Sequence, residues 1–416
     1  MASGTRKYPL RQPAKHNPPP RLHLVFPETQ KQVFTAYIGI QLHNQPTTDT
    51  KTISCLLSEP RSKIQAWLTE STPVSIEQFF VLDDTPNHVT SIPNKSQRPN
   101  STSSSKKKYT TLIWACYWST EDSYKKALAD LNLSSLHTSL SESLRRSIGL
   151  WAESFVSDIA RLETVYSATD YMPGLARLPG TSTAKHVHTG YWGAARDRIP
   201  GSGVDLFTGD GTGYDGNRDS AAADGEKVNI QSSLGSSIAG TNPSDMVHIR
   251  SGQFWGNCNE EEASAYLNHL EPKLRGGLLY LWNSPEESGS LGVRYLRNTD
   301  ASFDLSSGLG ETDADTGPGS FAKFLDTCPK ETCVTAFFEN MADLEKWAAK
   351  HPSHLAIHAG AVSHGRRFGD ARRFRTWHEV SVIRGGEARL QYVNCAEGTG
   401  SVEGWFPFSR GAYGSR

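Results

Sequence analysis

The chain has 416 residues, with 43 Lys and Arg against 44 Asp and Glu and a formal net charge of −1, so it is long enough for a sizeable core and its charge balance argues against a nucleic-acid partner. Hydrophobic residues make up 37%, low for a compact globule, which points to polar insertions. No apolar run reaches the roughly 18 residues of a membrane span, and six cysteines without paired spacing fit thiols of a reducing compartment, so a cytoplasmic protein that meets no membrane is expected.

In chain order, residues 1–30 are basic and rich in proline without an apolar stretch, and a flexible, solvated arm is expected there. Val33–Gln41 and Thr111–Trp118 alternate as strands, the second followed by the helical EDSYKKALADL; Leu150–Asp158 is a further strand. Polar segments near 91–108, 202–244 and 299–320 interrupt this pattern and bury too little apolar surface to offset their ordering entropy, so no secondary structure is expected in them. GDGTGYDGNRD in the second lacks the spaced carboxylates and closing Glu of a calcium loop. Beyond them, Asp245–Gly252 and Cys333–Phe338 read as strands, ADLEKWAAK as a helix and Thr376–Ile383 as a strand.

These elements form a loose repeat within one domain, 31–416, whose halves span about 31–200 and 245–400. LWAESFVSD closes the first half as TWHEVSVIR closes the second, with Ala152 where the second has His378. Strand, helix, strand in each half gives the α+β class: two ferredoxin-like units with antiparallel sheets and flanking helices, packed face to face.

Ionisable and apolar side chains interleave most densely between Cys333 and Cys395. A helical turn from Pro352 puts His351, His354, Leu355 and His358 on one face, and on the following strand His378 shares a face with Val380 and Val382. Core histidines satisfied by neighbours are one reading. A haem pocket, with one imidazole on iron and another over the open face, is the second. A zinc site is the third, although Cys328 and Cys333 lack a second cysteine pair. Spacing alone leaves haem and zinc both open.

HPSHLAI (351–357), WHEVSV (377–382) and YVNC (392–395) resemble the haem-containing aldoxime dehydratases, the phenylacetaldoxime dehydratase-like family. QVFTAYIGIQ, IWACYWS, ARLETVYS, GYWGAARDRIP and IRSGQFWGNC match the same family in the same order. The resemblance implies a dimeric α+β barrel, a homodimer, and haem b, ferrous in the active state, between the C-terminal sheet and its helices. It implies a lyase that dehydrates aldoximes to nitriles. His354 would be the axial iron ligand and His378 the general acid/base, with Glu163 orienting His378 and keeping it protonated. Ser251 would hydrogen-bond the substrate oxygen. The family's pocket arginine lies in RDR, as Arg196 or Arg198, and only one of the two is expected to face inward. Relatives usually have an aromatic residue at the place of His358. Trp255, Phe337, Phe338 and Trp377 are expected to line or support the apolar part of the pocket. A haem-binding or gas-sensing protein without turnover, or a peroxidase-like or chlorite-decomposing enzyme of similar architecture, are the competing readings.

Overall fold

The computed structural model describes residues 6–43, 50–83, 110–207, 232–300, 325–396, 399 and 408–411. The 91–108 insertion, the GDGTGYDGNRD segment and residues 301–320 lie outside the described residues. Among the described residues fourteen strands form one antiparallel sheet: β1 (Arg21–Val25), β2 (Gln32–Leu42), β3 (Ser75–Asp83), β4 (Thr110–Trp118), β5 (Ile148–Asp158), β6 (Leu162–Tyr166), β7 (Ser182–His186), β8 (Ser237–Gly240), β9 (Met246–Phe254), β10 (Ser290–Asn298), β11 (Glu331–Phe338), β12 (Arg375–Ile383), β13 (Ala388–Val393) and β14 (Phe408–Gly411). Their order is β14-β8-β13-β5-β2-β4-β3-β10-β11-β9-β12-β6-β1-β7.

That order repeats. In the first half β2 to β5 lie as β5-β2-β4-β3, and in the second β9 to β12 lie as β12-β9-β11-β10, the halves meeting edge to edge where β3 pairs with β10. Helices follow the first and third strand of each half, such as Thr50–Ser71 after β2, Glu271–Asn283 after β9, and Met341–Lys350 and Pro352–Phe368 after β11. The middle strands are apolar on both faces because both faces are covered. On β2, Ala36, Ile38 and Ile40 pack with the helix residues Leu57, Ile64 and Trp67, while Val33 and Tyr37 join an interior layer with Phe155, Phe337 and Trp377.

Each half fixes its first and last strands by the same device. Gly39 pairs with Trp151, and Gly252 with Trp377; a Cβ added to either glycine would stand 1.9 Å and 2.1 Å from its tryptophan ring. The missing side chain lets the indole lie across the neighbouring strand. Burying one tryptophan removes roughly 150–250 Å² from water, worth on the order of 4–6 kcal/mol before ordering costs.

Two expectations are corrected. The N-terminal segment is no free arm: β1 lies between β6 and β7, and the residues before it bond to the 188–203 region, as in Tyr8 N–H to the Gly203 carbonyl at 3.0 Å. The polar stretch 202–244, in which no element was expected, contributes β8, which pairs with β13. Its residues 208–231 are outside the described ones.

Candidate active site

The helix side comes first. Met341, Leu344 and Trp347 bury one face of Met341–Lys350, which starts at Asn340, whose side chain accepts from the Asp343 N–H at 3.0 Å. His351 ends that helix and caps the next: its Nδ1 accepts from the Ser353 N–H at 3.3 Å, Pro352 takes the first helical position, and its ring stacks on Tyr280 at 3.5 Å between centroids. This imidazole is committed to structure.

One turn later His354 packs its half-buried ring against Trp347, 4.7 Å between centroids, with Nδ1 buried and without a hydrogen-bond partner. Burial pushes its pKa down to about 4, against a backbone hydrogen bond at Ala348 that favours the proton. A neutral imidazole with an uncommitted nitrogen is the form that binds iron. His358 is exposed beside Trp192, 5.3 Å between ring centroids. The three helix histidines thus do different things, and among the described residues no three His, Cys, Asp or Glu are grouped to hold a bare metal ion. The zinc reading loses its ligand set.

The sheet supplies the facing groups. His378 pairs with Ser251 on one side and Val165 on the other, and Ser251 with Val334. Paired residues project to one face with Cβ atoms about 4.5–5.5 Å apart, so the Ser251 hydroxyl and the His378 imidazole are neighbours, flanked in their row by Val334 and Val165. Ser251 Oγ accepts only a long bond, 3.4 Å, from Gln253 Nε2.

RDR is a short helix, Ala194–Arg198, and not an extended segment. On a strand Arg196 and Arg198 would have shared a face; the helix turns them roughly 200° apart. Arg196 forks onto Glu345, with Nη2–Oε2 at 2.8 Å and Nε–Oε1 at 3.0 Å, and also reaches the Leu206 carbonyl. Arg198 reaches Glu163 Oε1 at 2.6 Å through Nε and the His188 carbonyl at 2.7 Å through Nη1. It is therefore Arg198 that belongs with His378. Gly193, which starts this helix, sits at φ 96°, a left-handed value that favours glycine, and a Cβ there would meet the Arg11 side chain at 2.6 Å. The N-terminal segment clamps the helix from outside: Arg11 N–H donates to Asp197 at 2.8 Å, and its guanidinium shares Glu345 with Arg196 at 3.1 Å.

The expected role of Glu163 is corrected by this geometry. Glu163 pairs across the strands with Val380, is fully buried, and gives one oxygen to Arg198 while Oε2 has no partner. Burial raises its pKa, opposed by Arg198. The pKa of His378 is pushed down to about 3, first by burial and then by Arg198, Arg21 and His354. Burial, reinforced by these positive neighbours, thus favours the neutral imidazole of His378.

Of the expected aromatic lining, Phe337 and Trp377 are in the interior layer on the opposite face of the sheet, and Trp255 packs with Tyr266 and Phe374. Phe338 alone joins the layer beneath the helices, 6.2 Å from Trp347 between ring centroids. Sequence reasoning missed Arg21, His23 and His186, carried on β1 and β7.

A family model described as haem-containing dehydratase matches residues 36–401. The chain belongs to the haem-containing dehydratases. Among its relatives is a phenylacetaldoxime dehydratase of Bacillus sp. (strain OxB-1), 26% identical over 294 residues, 70% of this chain and 73% of the relative. Aliphatic aldoxime dehydratases of Rhodococcus globerulus (26% identical, 71% of this chain and 72% of the relative) and Pseudomonas chlororaphis (24% identical, 71% and 72%) are similar too. In structure the dehydratase is similar to an aldoxime dehydratase solved in complex with butyraldoxime, with a TM-score of 0.70 at 21% identity, covering 96% of this chain and 93% of that one. The likeness is one of fold: a mixed arrangement of helices and antiparallel sheet. The residues present fit a haem, since a helix imidazole with a buried, uncommitted nitrogen and a strand imidazole beside a hydroxyl are what an axial ligand and an open coordination face require.

Proposed function

We propose that this dehydratase converts an aldoxime, R-CH=N-OH, into a nitrile and water between the helix Pro352–Phe368 and the β9–β12 face of the sheet. The observation that carries the reading is the direct pairing of His378 with Ser251 on the helix-covered face, together with the buried, unpartnered Nδ1 of His354. His354 would hold the iron, and haem b in its ferrous state would supply an electron-rich metal to which the oxime nitrogen binds. The rest falls to side chains. Ser251 donates to the oxime oxygen, and the Arg198 guanidinium places positive charge where that oxygen departs. His378, neutral at the start, takes a proton from carbon as it passes one to the leaving oxygen, so the C–H and N–O bonds break, water leaves, and the imidazole returns unchanged. Glu163 acts through Arg198, holding the guanidinium in place.

The strand order shared by the halves supports two ferredoxin-like units closing as an α+β barrel. Six free cysteines support a reducing, cytoplasmic setting; among the described residues no helix is long and apolar enough to cross a membrane. A homodimer completes the proposal, checked by light scattering. The deciding experiment is expression with haem supply, anaerobic reduction and assay of an aldoxime for nitrile. Bound haem with unchanged aldoxime would leave a haem-binding protein without turnover.

A further inference from the structure

Arg21 and Arg372 have no carboxylate at bonding distance among the described residues, although both are partly buried, Arg21 near His378 and Arg372 near Arg21. Leu22 pairs with Tyr166 on β6, which sets His23 beside Val165 in the row that contains Ser251 and His378, and Arg21 beside His186 in the next row. His23 is thus two strands from His378, roughly 10 Å across the ladder. The imidazoles of His23 and His186 lie 5.6 Å apart, and both ring nitrogens of His186 are buried without a partner. Arg372, on the connection leading into β12, has a buried Nε that is likewise unpartnered. Glu262 draws near it but is committed to the backbone N–H groups of Arg373 and Phe374 at 2.8–2.9 Å.

The charges do not balance. Burial, with Arg198 beside it, lowers the pKa of Arg21, and burial, with Arg21 and Arg375 acting against Glu262, brings that of Arg372 to about 10. The one carboxylate paired within the group, Glu163, is taken by Arg198. Arg21 remains without a counter-charge, and Arg372 faces only Glu262, which is shared with two backbone N–H groups; such a half-desolvated arrangement costs free energy unless an anion fills it. Guanidinium is the side chain suited to a planar carboxylate. Haem carries two carboxylates on its rim.

We propose that Arg21 and Arg372, with His186 beside them, seat the two propionate carboxylates of haem, so that this cluster orients the macrocycle between His354 and His378. The inference rests on the haem reading above and goes beyond it by naming residues that bind the rim and not the iron. The charge of Arg21, which adds to burial in lowering the pKa of His378, is then offset once haem is bound.

The test compares haem with its dimethyl ester, which keeps the iron and ring but removes both charges. Protein produced without haem supply is titrated with each, ferric, and followed by the Soret band. Wild type is expected to bind haem roughly 10- to 100-fold more tightly than the ester, the worth of one charge-assisted pair or slightly more. Arg21→Gln with Arg372→Gln is expected to lose that preference by weakening haem binding alone, with ester affinity and the far-ultraviolet circular dichroism unchanged. Equal affinity of wild type for haem and ester overturns the proposal, as does a variant that keeps the preference. If the variant keeps the preference and instead raises KM only for a carboxylate-bearing aldoxime, the seat serves substrate and the proposal fails. Wild type that binds neither form overturns the haem reading itself, a distinct result.

Discussion

The first half of the sheet pairs Ile38 with Ala152 where the second pairs Ser251 with His378. Much else is shared: the glycine under each tryptophan, and an arginine over each indole, Arg294 at 4.3 Å from the Trp151 ring and Arg250 at 4.6 Å from Trp377. In the first half Ile38 and Ala152 are sealed beneath helix residues such as Leu57 and Trp67. In the second, Ser251 and His378 retain some exposure. The difference teaches that the interior layer serves the fold in both halves, whereas the outer layer of the second carries a hydroxyl and an imidazole where the first has two apolar side chains.

The comparison can be broken at its strongest point by His354→Ala. With the protein–iron bond gone, haem is expected to be lost on gel filtration, leaving no Soret band, while the first half is undisturbed. A normal Soret band would move the ligand elsewhere. Next in size, His378→Asn returns the second half towards the first without filling the pocket. Haem content is expected to stay normal and turnover to fall by roughly 10²–10⁴-fold, the usual loss for a positioned acid/base group. Near-normal turnover would make His378 a core residue.

A smaller effect sharpens the symmetry. Gly39→Ala and Gly252→Ala each push a Cβ into an indole, and about 1–3 kcal/mol of destabilisation is expected in each case by chemical denaturation. Only Gly252→Ala should also lower activity, because Trp377 adjoins His378 in the chain. Equal loss of activity in both would show that the halves are mechanically coupled.

The smallest effect is one of pH. His248 stands in the interior between Tyr37, Phe155 and Phe337, and burial followed by Arg250 and Arg294 pushes its pKa down to about 3. Below the ordinary histidine value of about 6.5 the unfolded chain takes up a proton that the folded chain refuses. Its contribution is complete above that value and declines as pH falls towards 3. Relative to His248→Phe, wild type should lose about 1 kcal/mol between pH 7 and 5.5, read as a difference in denaturation midpoints. Parallel curves would refute the neutral buried histidine.

Much of this was legible in the sequence. The strands read at 33–41, 111–118, 333–338 and 376–383 end within a residue or two of β2, β4, β11 and β12, because their apolar periodicity is strong and turn residues bound them. The pairing of His378 with Ser251 was half legible: each motif was visible, but register is a property of two strands together. The RDR helix was not legible, since five residues carry too little periodicity and contacts to Glu345 and Arg11 hold it. Nor was the depressed pKa of His378, which depends first on burial and then on Arg198 and Arg21, remote in sequence and brought close by folding.

One strand has a history as well as a place. β1 is hydrogen-bonded between β6 and β7, segments some 140–160 residues downstream, so at a synthesis rate of about 5–20 residues per second it waits roughly 7–30 s for its partners. During that time it is a short strand with two open edges on a nascent chain. The three prolines at 18–20, directly before it, cannot donate ladder hydrogen bonds and so keep a chance partner from extending the pairing towards the N-terminus. The proline run that made this region look unstructured thus also sets a limit to pairing at the start of β1.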